Sequence, residues 1–117
     1  MTDEFLDWWQ QLSQDQQESV ADRVDLLANR GPDLGRPVVE RIHSSRHHNM
    51  KELRVPASRV ELRVLFCFDP RRMAILLLGG DKSEGAAWNA WYEKAVSEAD
   101  GLYDVYLAEL GKEGLLP

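Results

Sequence analysis

Arginine, lysine and glutamate side chains recur at short spacings near the middle of the chain, and their chemistry suits a phosphate ester. Lys51, Glu52 and Arg54 lie within four residues, Arg63 follows them, and Lys82 comes after an apolar run. A guanidinium offers phosphate oxygens a planar pair of donors, and an ammonium offers a compact point charge. These five residues are therefore the candidate catalytic residues of a site that binds phosphate and transfers protons.

Metal-free cleavage of RNA is one reaction that such residues can perform. It needs a deprotonated 2′-OH aligned with the phosphorus, stabilised charge on the phosphoryl oxygens and a proton for the leaving 5′-oxygen. Arg54 and Arg63 suit the charge role because a guanidinium stays protonated, and Lys82 can share it. The sequence leaves the base open among four side chains, which are Glu52, Lys51, His47 and His48.

Charge is segregated along the chain. Residues 36–82 carry 10 Lys or Arg against 5 Asp or Glu, whereas residues 1–35 carry 2 against 8 and residues 83–117 carry 2 against 7. The net charge of −6 alone would argue against a nucleic-acid partner, but a local positive field is what captures a phosphate backbone. The candidate residues for binding the phosphate backbone of RNA are Arg46, His47, His48, Arg71 and Arg72.

Length and composition predict one globular domain over residues 1–117, with an ordinary hydrophobic fraction of 44%. The single cysteine, Cys67, cannot form an internal disulfide, and no apolar leader is visible, so we expect a cytoplasmic protein. The longest apolar run, Ala74–Leu78, is far too short to span a bilayer. We expect no metal or cofactor, because His43 and His47 in a polar loop are more typical of solvated histidines.

The first third of the chain predicts two helices joined by a tight turn. Thr2 or Asp3 can cap a first helix that runs to about Leu12. Ser13 and Gln16 form a capping box for the second helix, and a Gly-Pro pair after residue 30 ends it. The apolar stripe of the second helix consists of Val20, Val24 and Leu27.

The remainder predicts strands and a long final helix. The strands are a possible short one over Pro37–Ile42, then Met50–Val55, Val60–Phe68 and Met73–Leu78. The connections are a polar loop over 41–49, a turn at Pro56-Ala57-Ser58 and a hairpin loop over 69–72. Because Met73–Leu78 is apolar on both faces, we expect a central strand, which Gly79-Gly80-Asp81 ends. The helix begins near residues 83–85 and runs to about Leu110.

Alternation assigns the residues of strand 60–68 to two faces. One face carries Val60, Leu62, Val64, Phe66 and Phe68, and the other carries Glu61, Arg63, Leu65 and Cys67. If the first face meets the helices, the second is an open face, and it also carries Glu52 and Arg54. The same charged side chains could instead be ordinary ion pairs, Arg54 with Glu52 and Arg63 with Glu61.

At these residues the chain resembles the RelE/HigB-like (Gp49-like) toxins of bacterial type II toxin–antitoxin systems. The resemblance runs from about Asp3 to Leu110 and is carried by short motifs in a fixed order. The motifs are Lys51-Glu52-Leu53-Arg54, Arg63-Val64-Leu65-Phe66, Ile75–Leu78 and Gly80-Asp81-Lys82. The resemblance implies an α+β fold, in which two N-terminal helices pack on a small antiparallel sheet of three to four strands and a long C-terminal helix follows.

The resemblance also implies a function, because many members cut mRNA on the ribosome without a metal. The expected protein is a ribosome-dependent mRNA endoribonuclease whose partners are the ribosome, mRNA and a cognate antitoxin. That antitoxin is expected to be a helix-turn-helix protein from an adjacent gene, and an acidic segment of it would cover the positive sheet face. Two alternatives stay open: a gyrase inhibitor of the related ParE kind, which uses the same fold without hydrolysis, and a non-enzymatic RNA- or protein-binding module.

Overall fold

A computed structural model describes residues 1–57, 59–84 and 86–116, and it confirms the α+β fold. The helices and strands are α1 (Asp3–Gln10), α2 (Gln14–Arg30), β1 (Val39–Arg41), β2 (Lys51–Ala57), β3 (Val60–Phe68), β4 (Ala74–Asp81) and α3 (Ala86–Lys112). Short 3-10 turns over Gly31–Asp33 and Lys82–Glu84 follow α2 and β4. Within the described residues, no helix is both long enough and apolar enough to cross a membrane.

The two N-terminal helices begin where their capping residues predict. Thr2 caps α1 by accepting a hydrogen bond from the Phe5 amide at 3.0 Å. Ser13 and Gln16 form the reciprocal capping box of α2. Gly31 then ends α2 with a φ of +64°, a left-handed conformation that glycine adopts without strain.

The four strands form one antiparallel sheet in the order β1-β2-β3-β4. The register sets Arg54 opposite Arg63 and Glu52 opposite Leu65. On the face that meets α1 and α2, the core consists of Phe5, Val20, Leu27, Leu34, Val39, Leu53, Val55, Leu62, Val64, Phe66 and Leu76. The predicted alternation of β3 is therefore correct for the face that packs on the N-terminal helices.

β4 is an edge strand, so the prediction of a central strand was wrong. Its residues are apolar on both faces because helices cover both: Leu76 packs with the α1–α2 side, whereas Ile75 and Leu77 pack with α3. Its free backbone edge is also partly covered. The Thr2 amide donates to the Leu76 carbonyl at 3.1 Å, and Thr2 Oγ1 donates to the Leu77 carbonyl at 2.6 Å.

The prediction that Gly79-Gly80-Asp81 ends the strand was also wrong, because β4 runs through Asp81. These glycines admit a tryptophan on each face of the sheet. A Cβ at Gly79 would overlap the Trp8 ring of α1, and a Cβ at Gly80 would come within 2.6 Å of Trp91 Cη2 in α3. The glycine pair therefore serves close packing of two aromatic rings.

α3 covers much of the sheet face that the sequence left open. Leu65 and Cys67 of β3 are buried against Ala95, Ala99 and Tyr103 of α3. Arg63 and Glu52, expected on a solvent-facing surface, retain only 7% and 9% of their exposure. The open face is therefore reduced to the region near the start of α3. Ser58 of the predicted turn and Gly85, near the predicted helix start, lie outside the described residues, whereas Pro56 and Ala57 belong to β2.

The glycine packing can be tested by adding one methyl group. We expect Gly79→Ala to destabilise the protein by about 1–3 kcal/mol, because the Trp8 ring must shift in a packed core. Gly101→Ala is the matched control. A Cβ at Gly101 meets no atom within 4 Å, so helix propensity should give up to about 1 kcal/mol of stabilisation. Urea unfolding of both variants measures the difference, and equal stability of the two would contradict the packing account.

Candidate active site

Antiparallel pairing of β2 and β3 brings three of the five candidate catalytic residues together. Arg54 Nη2 lies 3.5 Å from Glu52 Oε1, and Arg63 Nε lies 3.9 Å from Glu52 Oε2. The three side chains leave the same face of the sheet, since Arg54 and Arg63 are register partners and Glu52 is two residues from Arg54. We call Glu52, Arg54 and Arg63 the charged cluster. Its pairing differs from the predicted one, because Arg63 approaches Glu52 and Glu61 is exposed.

Two guanidinium groups share one carboxylate in this cluster, and part of each guanidinium is buried from solvent. Among the described residues, the Nε atoms of Arg54 and Arg63 are buried without a hydrogen-bond partner. Arg63 also donates from Nη1 to the carbonyl of Leu62 at 3.0 Å. A buried donor without a partner carries a desolvation cost, and an excess positive charge favours an anion. The charged cluster is therefore chemically suited to a phosphate group.

A notch of about 450 Å³ opens beside the charged cluster, and the 3-10 turn after β4 brings Lys82 to it. Its lining residues are Glu52, Lys82, Trp88, Asn89, Tyr92 and Glu93. Tyr92 lies close to all three charges: burial raises its pKa to about 12, the charge of Glu52 acts in the same direction, and the two arginines oppose it. The phenol therefore stays protonated at neutral pH and can donate a hydrogen bond into the notch.

Lys51 is not brought into the charged cluster. It alternates with Glu52 along β2, so its side chain leaves the sheet from the other face, and its ammonium lies 5.6 Å from the Phe68 ring centroid. The Lys51 ammonium therefore makes a cation–aromatic contact with Phe68. Of the five candidate catalytic residues, Glu52 and Lys82 line the notch, Arg54 and Arg63 lie beside Glu52, and Lys51 is on the opposite face.

The loop that carries Arg46, His47 and His48 is tied to α3 by aspartates. Asp104 accepts from Arg46 Nη2 at 2.6 Å and lies 2.7 Å from His47 Nε2, and these hydrogen bonds lower the pKa of Asp104. Asp100 is only 3% exposed and accepts from the Ser45 hydroxyl and from the Arg46 amide. Arg46 and His47 are therefore engaged within the molecule, whereas His48 is exposed and forms no ion pair with the described residues.

Of the two arginines in the β3–β4 hairpin loop, one is engaged within the molecule and the other is exposed. Burial alone would raise the pKa of Asp69, but hydrogen bonds from the Met73 amide, the Tyr106 hydroxyl and Arg71 hold it below its ordinary value. Arg71 also donates to the Tyr106 hydroxyl at 3.0 Å. Arg72, by contrast, is exposed at a φ of +66°. Arg71 therefore stabilises the loop, and Arg72 is available at its tip.

Several residues of this region were not identified by sequence reasoning. Trp88 and Tyr92 share the apolar spacing of the final helix, which is typical of core residues, and Asn89 carries no distinctive signal. Asp100 is buried, although an aspartate in an acidic helix is ordinarily solvated. Its signal in the sequence is weak: a lone aspartate between Ala99 and Gly101 on the apolar stripe.

Cys67 is a small buried residue. Burial raises the pKa of its thiol to about 12, so the nucleophilic thiolate is absent at neutral pH. Across residues 1–57, 59–84 and 86–116, no group of three or more His, Cys, Asp or Glu residues could hold a metal ion.

Comparison of the sequence with known proteins places the chain in a family. The family model described as "Phage derived protein Gp49-like (DUF891)" matches residues 7–104. "Putative toxin HigB3" of Mycobacterium tuberculosis is 48% identical over 101 residues, which are 86% of this chain and 85% of that protein. "Putative toxin HigB2" of the same organism is 41% identical over 104 residues, which are 87% of this chain and 50% of that protein.

No solved structure matches the chain significantly. The family match covers the second half of α1, the whole of α2 and the sheet, and about the first two thirds of α3, and so includes every residue of the charged cluster and the notch. The first relative is similar over nearly the full length of both proteins. The chain therefore belongs to the Gp49-like family and is a HigB-like member of it.

Proposed function

We propose that the chain is the toxin of a type II toxin–antitoxin module and that it inhibits translation by cutting mRNA on the ribosome. The observation that carries this proposal is the charged cluster, in which Arg54 and Arg63 share Glu52 beside a notch lined by Lys82 and Tyr92. The names of the two relatives support the role of toxin. The chemistry of the cluster supports phosphoryl transfer as the mechanism.

In this proposal, Arg54 and Lys82 stabilise the negative charge on the phosphoryl oxygens. The side chain of Arg54 is 34% exposed and Lys82 is exposed, so both can reach a phosphate that enters the notch. Arg63, with 8% of its side chain exposed, lies behind Glu52, where it orients the carboxylate and adds fixed positive charge. Preorganised charges of this kind act most strongly where water is excluded.

Proton transfer falls to Glu52 and Tyr92. Glu52 takes the proton of the RNA 2′-OH, and the 2′-oxygen attacks phosphorus as the bond to the 5′-oxygen breaks. The products are a 2′,3′-cyclic phosphate and a 5′-hydroxyl. Tyr92, which burial keeps protonated, hydrogen-bonds to the leaving 5′-oxygen and gives it a proton, and solvent then returns a proton to the phenol. The ribosome supplies substrate alignment, which can contribute much of the acceleration.

In vitro translation with primer extension distinguishes this proposal from its two alternatives. An endoribonuclease gives mRNA cuts at fixed positions within codons, and the cuts require ribosomes. A non-enzymatic binder arrests translation without new mRNA ends. A gyrase inhibitor leaves translation unaffected and blocks DNA supercoiling. Translation arrest without cuts, or inhibition of supercoiling alone, would overturn the endoribonuclease proposal.

Replacement of Arg54 tests the charged cluster. We expect Arg54→Ala to reduce the cleavage rate on the order of a hundredfold, because one preorganised charge is lost. Arg54→Lys should recover part of the rate, since an ammonium lacks the two-pronged geometry. Arg36→Ala is the matched control, because Arg36 also pairs with a glutamate, Glu40, on an exposed part of the surface.

The stability of each arginine variant separates a chemical role from a structural one. The melting temperature of Arg54→Ala should stay close to that of the parent protein, because its ion pair is partly exposed. Arg63→Ala is expected to be both inactive and less stable, because Glu52 loses a buried partner. A fully active, normally stable Arg54→Ala would show that the charged cluster is not the site of the reaction.

Salt dependence tests which cations contact the ribosome. Affinity should fall steeply with salt, and Arg72→Gln should reduce the slope of log affinity against log salt by about one if Arg72 contacts a phosphate. Arg46→Gln should leave the slope nearly unchanged, because Asp104 already neutralises Arg46. Ribosome binding that is insensitive to salt would contradict phosphate contact by the basic residues.

Replacement of Tyr92 tests the phenol as a donor. Tyr92→Phe should lower the cleavage rate about tenfold with little change in stability, since one hydrogen bond to a developing charge is lost. With a pKa of about 12, Tyr92 remains protonated through pH 10, so this factor should be the same at pH 7 and pH 10. If the cleavage rate of the parent protein falls between pH 7 and pH 10 and that of Tyr92→Phe does not, the phenol ionises within this range, which would contradict the prediction.

A further inference from the structure

A second cavity, of about 340 Å³, lies at the end of β4 and adjoins the notch. Trp88 lines both spaces, and Asp81, which lines the cavity, is followed directly by Lys82, which lines the notch. The volume is at the small end of the range of ligand sites in proteins. A ligand with one group in the notch can therefore place a second, small group in this cavity. We call it the tryptophan cavity, because Trp8, Trp88 and Trp91 form its aromatic walls.

The aromatic walls of the tryptophan cavity come from both faces of the sheet. Trp8 of α1 packs on Gly79, and Trp91 of α3 packs on Gly80, whose missing side chain would point to the opposite face. Trp88 extends the second wall, with its ring centroid 4.8 Å from that of Trp91. Trp8 and Trp91 are only half-buried, so part of each ring remains available to a ligand. Walls of this kind bind flat rings by stacking.

Polar groups between these walls restrict the chemistry of the ligand. Asp81 accepts from the Ser83 amide at 2.8 Å and from the Ser83 hydroxyl at 2.6 Å, both through Oδ1, so Oδ2 remains as an acceptor. Gln16 accepts from the Ser13 amide through Oε1 at 3.0 Å, so its Nε2 group remains as a donor. Gln11 also lines the cavity and is exposed.

Two kinds of ligand fit these groups poorly. An apolar side chain would bury the carboxylate and the amides without partners, which is costly. A phosphate would be repelled by Asp81. The complementary ligand is an uncharged flat ring that carries both hydrogen-bond donors and acceptors, and a nucleobase has this chemistry.

We propose that the tryptophan cavity binds one base of the RNA whose phosphate enters the notch, and that it selects guanine. At its Watson–Crick edge guanine has two adjacent donors, N1–H and N2–H, beside the O6 acceptor, so it can satisfy the carboxylate and an amide donor together. Uracil has a single donor at this edge. Lys82 and Asp81 then separate the phosphate from the base. The proposal rests on the proposed function, since it takes the ligand to be RNA.

The test measures binding of RNA to the purified chain without ribosomes. The probes are a short oligouridylate and the same oligonucleotide with one uridine replaced by guanosine, both with 2′-O-methyl groups that prevent cleavage. The indole N–H signals of the four tryptophans are followed by NMR. We expect the guanosine probe to bind about tenfold more tightly and to shift the signals of Trp8 and Trp91 saturably. The signal of Trp9, which lies outside the cavity, should stay in place.

Two substitutions separate recognition of the base edge from stacking. Asp81→Asn keeps an acceptor oxygen for Ser83 but replaces the second oxygen by a donor, so the tenfold preference for guanosine should disappear. Trp8→Phe keeps a ring on Gly79 but offers less area for stacking, so binding of both probes should weaken several-fold. The matched controls are Asp7→Asn and Trp9→Phe, which make the same changes on α1 outside the cavity. Both should bind the probes as the parent chain does.

The outcomes separate the base site from the proposed function. If the chain cuts mRNA but the two probes bind equally well and leave the signals of Trp8 and Trp91 unchanged, the base site is wrong and the proposed function stands. If the guanosine probe binds at Trp8 and Trp91 but translation yields no mRNA cuts, the base site stands and the endoribonuclease proposal fails. A guanosine preference that survives Asp81→Asn would overturn the role given to the carboxylate.

Discussion

The packing of α3 across the second face of the sheet is the constraint on which the rest of the structure depends. Asp100, buried in the middle of α3, accepts hydrogen bonds from Ser45 and Arg46 and so joins the helix to the loop between β1 and β2. Ala95, Ala99 and Tyr103 bring α3 close to the apolar half of the sheet. Because the helix covers Leu65 and Cys67 but leaves a notch near Glu52, it decides which charged residues remain accessible.

The basic side chains in the middle of the chain consequently have two different roles. Arg46, His47 and Arg71 pair with aspartates and hold loops in place, so they contribute little to an external field. The cations left for a ligand are fewer and more localised, and they include Arg54 and Lys82 near the notch. A chain with a net charge of −6 can therefore still present positive charge where a phosphate would enter.

Local signals in the sequence were sufficient for the elements but not for their arrangement. The caps at Thr2 and Ser13 and the alternation of Val60–Phe68 depend on neighbours within a few residues, so they could be predicted. The edge position of β4 could not, because its two apolar faces reflect helices packed on both sides of the sheet, and α1 is distant from β4 in sequence. The same limit applies to Gly79-Gly80, whose role depends on tryptophans from two different helices.

Part of the candidate site was predictable for a similar reason. Glu52 and Arg54 alternate along one strand, and Arg63 lies on the corresponding face of the next, so their proximity follows from strand periodicity. Their burial and the contribution of Tyr92 depend on where α3 lies, which no local pattern specifies, whereas the position of Lys51 on the other face follows from the same periodicity. The buried Asp100 was missed because an aspartate in an acidic helix is ordinarily solvated.

The central claim is that the charged cluster and the notch form a phosphate site, and side-chain NMR of arginine tests it most directly. The measurement follows the guanidinium Nε–H signals while a short RNA with 2′-O-methyl groups, which cannot be cleaved, is added. The account predicts that the Arg54 signal shifts in a saturable manner while the signal of Arg36, which pairs with Glu40 on the surface, stays in place. Saturable shifts confined to other arginines, with Arg54 unchanged, would contradict it.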